Sequence, residues 1–259
     1  MSELSIASWN VNSLRVRLDQ VIDWLKANPV DILGLQELKL SDEEFPQQAF
    51  EELGYHCVFT GQKTYNGVAL ISKHAPEDVV TDLPGYNDEQ RRFIAATYNG
   101  VRVVDVYVPN GQELGSEKFS YKQEWFLHLQ QAMADYLGVY DKLALMGDFN
   151  ITPADIDVHD PAKWRGKIHC SDIERLMLQK LMAQGLFDTY RHLNQQGDSF
   201  SWWDYRGGGY RANEGLRIDL ILSSSKLLQH VQECRIDELP RQRERPSDHT
   251  PVIASYALN

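Results

Sequence analysis

Apolar runs of six to eight residues recur along most of the chain and are separated by polar segments. These runs are rich in Val, Ile and Leu, which is typical of strands buried in a sheet. The pattern predicts eight strands, at residues 4–9, 31–36, 67–72, 91–98, 101–108, 142–147, 217–222 and 251–258.

Between some of these runs, apolar residues recur three or four positions apart, which is the period of an amphipathic helix. Two such segments carry helix-end signals: one stops at Pro29, and another opens at Ser41 before an acidic first turn. The pattern predicts four helices, at residues 17–29, 41–54, 117–137 and 171–185.

The order of these elements indicates the class of fold. Only Asn99 and Gly100 separate two adjacent predicted strands, which is typical of a tight hairpin and therefore of an antiparallel pair. Because strands and helices do not alternate strictly, we expect mixed sheets, packed face to face and covered outside by helices. No linker-like or repetitive segment interrupts the pattern, so a single α/β domain over residues 1–259 is predicted.

The composition is that of an ordinary soluble protein, with 42% hydrophobic and 24% charged residues. No basic stretch followed by an apolar run marks a secretory signal, and no apolar run is long enough to span a bilayer. The three cysteines are far apart, without the spacing of a zinc site, so we expect reduced thiols and a cytoplasmic protein that does not bind membranes.

The net charge of −11 argues by itself against a nucleic-acid partner, because non-specific DNA binders usually present a basic face. Net charge describes the whole surface, however, and a local field can oppose it. The basic residues do cluster, although most such clusters are simply solvated surface charge. They lie at Arg91 and Arg92, Lys118 and Lys122, Arg206 and Arg211, and Arg241, Arg243 and Arg245.

Polar residues stand where the predicted strands end. Most of them, taken alone, have a structural explanation as turns, solvated strand ends or core residues. Asp219 is different, because a carboxylate inside an apolar strand is costly to bury without a partner, and a histidine is the obvious candidate. The set comprises Asn10, Asn12, Glu37, Tyr107, Asn110, Asp148, Asn150, Asp219, Asp248 and His249.

Together these residues favour one chemistry. Carboxylate and amide oxygens suit a hard divalent cation, and an Asp–His pair orients and polarises an imidazole. A further Asp–Asn pair, as in "GDFN", can position an attacking water. Metal-assisted hydrolysis of a phosphodiester needs this inventory, whereas the motifs of serine hydrolases, P-loop NTPases, zincins and dinucleotide-binding proteins are absent from the sequence.

The ordered motifs resemble the exonuclease III branch of the endonuclease/exonuclease/phosphatase superfamily. The similarity runs through "SWNVNSLRVRL", "LQELKL", "VYVPNG", "GDFNI", "SWWDYR", "GLRIDLIL" and "RPSDHTPV". The resemblance implies a four-layer α/β/β/α sandwich. It also implies a Mg²⁺-dependent enzyme of base-excision repair, with Mn²⁺ as an alternative metal; a monomer is our default expectation. Its expected substrate is duplex DNA with abasic sites or with blocked or recessed 3′ ends. The expected activities are 3′–5′ exonuclease, 3′-phosphatase or phosphodiesterase, and abasic-site endonuclease.

The resemblance also implies a role for each matching residue. Glu37 is the principal Mg²⁺ ligand, with Asn10 beside it and Asn12 lining the same site. Asp148 orients or deprotonates the attacking water, and Asn150 holds the phosphate.

Four further positions complete the implied site. Tyr107 and His249 contact the scissile phosphate, and Asp219 orients His249. Asp248 is an outer-shell acid or a ligand of a second metal. Whether Asp148 or His249 is the base stays open.

Several residues around the mouth of such a site are candidates for substrate contact. Trp202, with Trp203 and Tyr205, is suited to wall a sugar pocket or to stack on an extruded end, although at least one of the two tryptophans is expected in the core. A DNA track is predicted at Arg91, Lys118, Lys122 and Arg206.

His169 stands where relatives often have a small residue. An imidazole there would narrow the pocket for a flipped-out abasic sugar and leave 3′-end trimming intact. The alternative is that His169 points away from the pocket or binds a DNA phosphate.

Two other functions are compatible with parts of this pattern. One is a different enzyme of the superfamily, such as a DNase I-like nuclease or an inositol phosphate or lipid phosphodiesterase, which the "SWWDYR" motif disfavours. The other is a non-enzymatic binding protein with a decayed site, which would lack ligands that this sequence retains.

Overall fold

Two six-stranded sheets form the centre of the structure, a computed structural model that describes residues 2–258. The strands are β1 Ser2–Asn10, β2 Ile32–Gln36, β3 His56–Thr60, β4 Val68–Ser72, β5 Glu77–Val80, β6 Phe93–Tyr98, β7 Val101–Tyr107, β8 Leu143–Asp148, β9 Leu186–Asp188, β10 Asp219–Ser224, β11 Val231–Ile236 and β12 Val252–Leu258.

The helices lie between these strands in the chain. They are α1 Leu14–Ala27, α2 Gln47–Glu51, α3 Glu117–Leu137, α4 Pro161–Trp164, α5 Asp172–Met182, α6 Thr189–Leu193 and α7 Ser225–Leu228. Short 3₁₀ turns occur at Asp42–Glu44, Asp155–Asp157, Arg206–Gly208 and Leu239–Gln242. Within residues 2–258, no helix has the length and apolar character that a bilayer crossing requires.

Both sheets are mixed. The first has the order β11-β12-β1-β2-β4-β3, and the second has the order β5-β6-β7-β8-β10-β9. In each sheet one central pair is parallel, β1 with β2 and β7 with β8, so the carboxyl ends of these strands point to a common edge. The predicted hairpin is observed as antiparallel β6 and β7, with Asn99 and Gly100 at φ values of 49° and 80° in the turn.

Three apolar layers hold the sheets and helices together. Leu4 and Ile6 of the first sheet meet Ile94 and Met146 of the second in the layer between the sheets. On the outer faces, α1 covers the first sheet, and α3 and α5 cover the second. This alternation of inward and outward side chains produces the four-layer α/β/β/α sandwich and confirms the predicted fold class.

All eight predicted strands are present, within one or two residues at each end, and the helices at 117–137 and 171–185 are confirmed. The prediction of one helix over 41–54 is wrong, because Pro46 separates a 3₁₀ turn from the short helix α2. The pattern missed four strands that are short or partly exposed, and whose sequences lack a clear apolar run: β3, β5, β9 and β11.

Candidate active site

The ends of strands from both sheets meet at one edge of the sandwich and bring the polar residues together. Tyr107 at the end of β7 is the register partner of Asp148 at the end of β8, which is in turn opposite Asp219 at the start of β10. From the other sheet, Glu37 follows β2, and His249 lies shortly before β12. The fold therefore places side chains more than 200 residues apart in sequence around one point.

Close packing of two backbones supports Asp148. Gly147, the residue before it, has a φ of 143°, and a Cβ atom there would lie 1.9 Å from the carbonyl oxygen of Val106. Only glycine fits this contact without moving β7 away from β8, so the residue fixes the place at which Asp148 leaves the sheet.

A carboxylate pair and an imidazole form the centre of the site. One potential ligand atom each from Glu37, Asp148 and His249 lies within 4.8 Å of the others, and among the described residues no other cluster of three or more His, Cys, Asp and Glu side chains meets that limit. Two carboxylates at such a distance repel each other unless positive charge lies between them, and hard divalent cations prefer carboxylate oxygens. The donor set therefore fits a divalent metal ion.

The amide nitrogen of Asn10, and not its oxygen, faces the carboxylates of Glu37 and Asp148. Its Nδ2 donates to Oε1 of Glu37 and to Oδ2 of Asp148, both at 2.9 Å. Its Oδ1 accepts from the backbone N–H of Asn12 at 3.0 Å. In this geometry Asn10 orients Glu37 and Asp148, and its role as a metal ligand stays a prediction.

Asp219 and His249 form the buried pair that the sequence pattern indicates. Nδ1 of His249 lies 2.8 and 3.1 Å from the two carboxylate oxygens of Asp219, and neither residue is appreciably exposed. Burial opposes a charged imidazole, but the carboxylates of Asp219 and Asp148 outweigh it and raise the pKa of His249 to about 10. The ring is therefore an imidazolium at neutral pH.

Asp148 is fully buried and surrounded by donors. Its Oδ1 accepts from the backbone N–H of Asn150 at 2.9 Å, and its Oδ2 lies 3.7 Å from Nε2 of His249. Burial raises the pKa of Asp148 to about 7, although the charge of His249 opposes this rise. The distance between Asp148 and His249 is too long for a direct hydrogen bond, so both side chains can contact a third group placed between them.

Tyr107 lies at the rim of the same group. The guanidinium of Arg92 stacks over its ring at 4.6 Å from the centroid. Burial, followed by the charge of Glu37, raises the pKa of Tyr107 well above its ordinary value. The phenol therefore keeps its proton and serves as a hydrogen-bond donor.

Asp248 lies beside the central cluster and is engaged elsewhere. It accepts from Nδ2 of Asn12 at 2.9 Å and from Nε1 of Trp202 at 3.0 Å. These bonds let Asp248 orient Trp202 and Asn12, and its role as an outer-shell acid or a ligand of a second metal stays a prediction.

Two basic residues lie at the site, and the sequence analysis gave neither of them a role there. Lys39 pairs with Glu37 at 3.0 Å, and its Nζ donates to Oδ1 of Asn12 at 2.5 Å. Arg92, rather than the predicted Arg91, faces Tyr107 and lines a neighbouring cavity of about 630 Å³. Lys39 could have been noticed from its place in "LQELK", but nothing in the sequence distinguishes Arg92 from Arg91.

The predicted DNA-contact residues do not all reach the surface. Lys118 is exposed and lines the same cavity as Arg92, and Arg206 is exposed on a 3₁₀ turn. Arg91 pairs with Asp82 at 2.5 Å and is turned away from this cavity's lining. The prediction of Lys122 as a DNA contact is wrong, because its side chain is completely buried.

Of the two adjacent tryptophans, one lies in the core and one at the rim, as expected. Trp203 is fully buried, whereas Trp202 is partly exposed and stands edge-on to Trp164 at 6.4 Å. His169 is buried with its ring 6.1 Å from that of Trp202, and its Nδ1 lies 2.8 Å from the carbonyl oxygen of Asn150. Burial, and then the charge of Lys122, lowers the pKa of His169 to about 4, so this ring is neutral.

Comparison with known proteins identifies relatives of the whole chain. Residues 7–249 match the model of the Endonuclease/Exonuclease/phosphatase family. The sequence is 37% identical to Exodeoxyribonuclease III of Haemophilus influenzae, over 98% of this chain and 100% of that protein.

Two solved structures are also similar over their whole length. A 3′ phosphatase, NExo, from Neisseria bound to a product DNA hairpin superposes with a TM-score of 0.97 at 49% identity, covering 98% of this chain and 100% of the other. An AP endonuclease from Archaeoglobus fulgidus superposes with a TM-score of 0.94 at 37% identity, with the same coverage. Together with the site geometry, these matches show that the chain belongs to the endonuclease/exonuclease/phosphatase family.

Proposed function

We propose that this protein is a Mg²⁺-dependent DNA phosphodiesterase of base-excision repair that processes 3′ ends of duplex DNA, with abasic-site incision as a further activity. The observation that carries the proposal is the convergence of Glu37, Asp148 and His249 within 4.8 Å at the edge of the sandwich. The relatives with exonuclease, phosphatase and AP endonuclease activity support the same conclusion. We propose a single-domain monomer, and the free thiols of Cys57, Cys170 and Cys234 fit a reducing cytoplasm.

Glu37 is the residue that would hold the metal ion, beside Asp148 and His249. A bound Mg²⁺ would act as a Lewis acid on the phosphate and neutralise part of its charge, and Mn²⁺ would suit the same oxygens. Asn10 keeps both carboxylates aimed at this position through its two hydrogen bonds of 2.9 Å.

The protonation states favour Asp148 as the base. Its pKa of about 7 lets it accept a proton from the attacking water near neutral pH, whereas His249, with a pKa of about 10, remains charged. His249 therefore serves as a donor to a phosphate oxygen, held in place by Asp219. Tyr107 supplies a neutral donor that would stabilise negative charge as it develops on the phosphate, whereas Nδ2 of Asn150 donates to Asp148 and to the carbonyl of Val108 and so holds the base.

A second function, 3′-end processing with little abasic incision, is favoured by the position of His169. Its ring lies between Asn150 and Trp202, where a flipped-out sugar would enter, and it is neutral and buried. Rotation out of the pocket would break its bond to the carbonyl of Asn150, so the ring resists displacement.

A substrate panel tests both proposals. The native protein and His169→Gly are compared in Mg²⁺ on abasic duplex, on blunt and recessed 3′ ends, and on 3′-phosphate and 3′-phosphoglycolate ends. Glycine is chosen because His169 has a φ of 71°, which glycine adopts without strain. We expect cleavage of 3′ ends in both proteins and a rise in abasic incision, relative to 3′-end release, only in the variant. Lack of cleavage of every DNA would refute the first proposal, and an unchanged ratio would refute the second.

A further inference from the structure

A buried ion pair lies behind the site, away from any surface that DNA can reach. Nζ of Lys122 on α3 contacts Oε1 of Glu174 on α5 at 2.6 Å, and both side chains are completely shielded from water. Replacing such a pair by apolar residues is often neutral or stabilising, because burying two charges costs about as much as their attraction returns. Stability therefore gives no sufficient reason for charges at this place.

The remaining donors of Lys122 point at the backbone of two residues of the site. Its Nζ donates to the carbonyl oxygen of Asn150 at 2.8 Å and to that of Asn110 at 3.1 Å. These residues follow the parallel strands β8 and β7, and Nδ2 of Asn110 also donates to Oδ1 of Asn150 at 3.2 Å. All three protons of the ammonium are used, and two of them join the ends of neighbouring strands.

The backbone of Asn150 is in the left-handed region, with a φ of 50°, which asparagine adopts more readily than most residues. Its carbonyl oxygen is held from two sides, by Lys122 and by Nδ1 of His169 at 2.8 Å. Fixing this peptide fixes the direction of the Asn150 side chain, whose Nδ2 reaches Oδ2 of Asp148 at 3.2 Å.

Glu174 extends the network to the segment that carries His169. Its Oε1 accepts from the backbone N–H of His169 at 3.1 Å, and its Oε2 accepts from Oγ of Ser171 at 2.6 Å. One ion pair thus ties the peptide of Asn150 to the segment that carries His169.

We propose that Lys122 is a positioning residue: its ammonium, paired with Glu174, holds the carbonyls of Asn150 and Asn110 so that the Asn150 side chain, which donates to Val108 and Asp148, keeps the Asp148 carboxylate in place. The inference rests on the proposed DNA phosphodiesterase function. Misplacement of a reacting group by about 1 Å costs on the order of 100-fold in rate, so we expect that loss in kcat without Lys122.

Three variants separate positioning from stability. Lys122→Met removes the donors and leaves Glu174 unpaired, whereas Lys122→Met combined with Glu174→Gln leaves no buried charge and keeps the acceptor for His169. The matched control is Arg102→Met, because Arg102 is another buried cation below α3, bonded to Tyr136 at 3.0 Å, at the opposite end of β7.

Each variant is assayed for kcat and KM on a 3′-phosphate DNA hairpin with Mg²⁺, and its unfolding midpoint in urea is measured. We expect the double variant to regain the stability that Lys122→Met loses, while kcat stays about 100-fold low with KM unchanged. A double variant with native kcat, a rise in KM alone, or an equal loss of kcat in Arg102→Met would overturn the inference. An inactive native protein would instead refute the proposed function.

A thermodynamic cycle gives an independent measurement. If Lys122 acts through Asn150, then Lys122→Met should lower kcat by much less in an Asn150→Gly background than in the native protein, with a coupling of at least about tenfold. Additive losses would show that the two residues act separately and would contradict the inference.

Discussion

The Asp219–His249 pair offers a sharp test of how the site works, through Asp219→Asn. The substitution keeps the size of the side chain and one oxygen for Nδ1 of His249, which lies 2.8 Å from the carboxylate. It removes the negative charge that does most to keep the imidazole protonated. In the variant the pKa of His249 should therefore fall, and the ring should become neutral near neutral pH.

The size of the effect follows from burial. Asp219 and His249 are 0% and 4% exposed, so water cannot replace the lost charge. Removing one partner of a buried pair costs about 3–5 kcal/mol. If that loss falls on the transition state, kcat at about pH 7.5 should decrease by about 10²- to 5 × 10³-fold, since each 1.36 kcal/mol corresponds to a factor of ten.

The assay is the pH profile of kcat for phosphate release from a 3′-phosphate hairpin, in native and variant proteins. Because a lowered pKa makes His249 neutral at high pH and charged again at low pH, the ratio of native to variant kcat should shrink as the pH falls from about 8 to about 5.5. A ratio that stays constant over this range, or a variant with native kcat, would refute the assignment of a charged His249.

Asp105 provides the matched control. It is a second buried carboxyl between the same sheets, its Oδ1 accepts from Nε2 of Gln36 at 2.6 Å, and burial raises its pKa well above the ordinary value. Asp105→Asn keeps the size of the side chain and an oxygen for Gln36 away from the central cluster, so kcat should remain within about threefold of native.

Three other expectations concern stability and DNA binding. Burial lowers the pKa of His169 from 6.5 to about 4, so between these pH values the unfolded chain binds a proton at this residue that the folded chain does not. The free energy of unfolding should therefore fall as the pH decreases from 6.5 to about 4, by up to about 3 kcal/mol. Urea unfolding should show this loss in the native protein and not in His169→Gly; equal pH dependence would contradict it. Lys118→Gln should reduce the salt dependence of DNA binding by about one phosphate contact, with kcat unchanged; an identical slope would exclude Lys118 from the DNA track. Gly147→Ala should destabilise the fold by about 3 kcal/mol or more, because the added methyl group meets the carbonyl of Val106; native stability in urea would show that β7 and β8 can separate there.

The sequence predicted the parts of this protein that depend on local periodicity. The buried strands are apolar runs, and polar residues at the ends of β7 and β8 converge because parallel strands share an edge. The pairing of Asp219 with His249 was predictable as well, since a carboxylate in an apolar strand requires a partner.

Predictions that needed knowledge of distant neighbours were less successful. Lys122 lies on a helix with exposed and buried faces, and only the buried position of Glu174, 52 residues later, shows why a lysine faces inward. Arg91 and Arg92 are adjacent in the chain, and successive side chains in and near β6 point to opposite faces, so only one of the two reaches the site. Asn10 has the right chemistry for a metal ligand, but the sequence does not show which way its amide group points; its hydrogen bonds with Asn12 and Asp148 do.

The most direct test of the central claim is phosphate release from a 3′-phosphate DNA hairpin, measured for the native protein and for Asp148→Asn, with Mg²⁺ and with EDTA. We expect release only by the native protein with Mg²⁺, and restoration when Mg²⁺ is returned in excess of the chelator. Removal of the base should cost on the order of 10²- to 10⁴-fold in kcat. Release in EDTA, or a variant as active as the native protein, would contradict metal-assisted hydrolysis with Asp148 as the base.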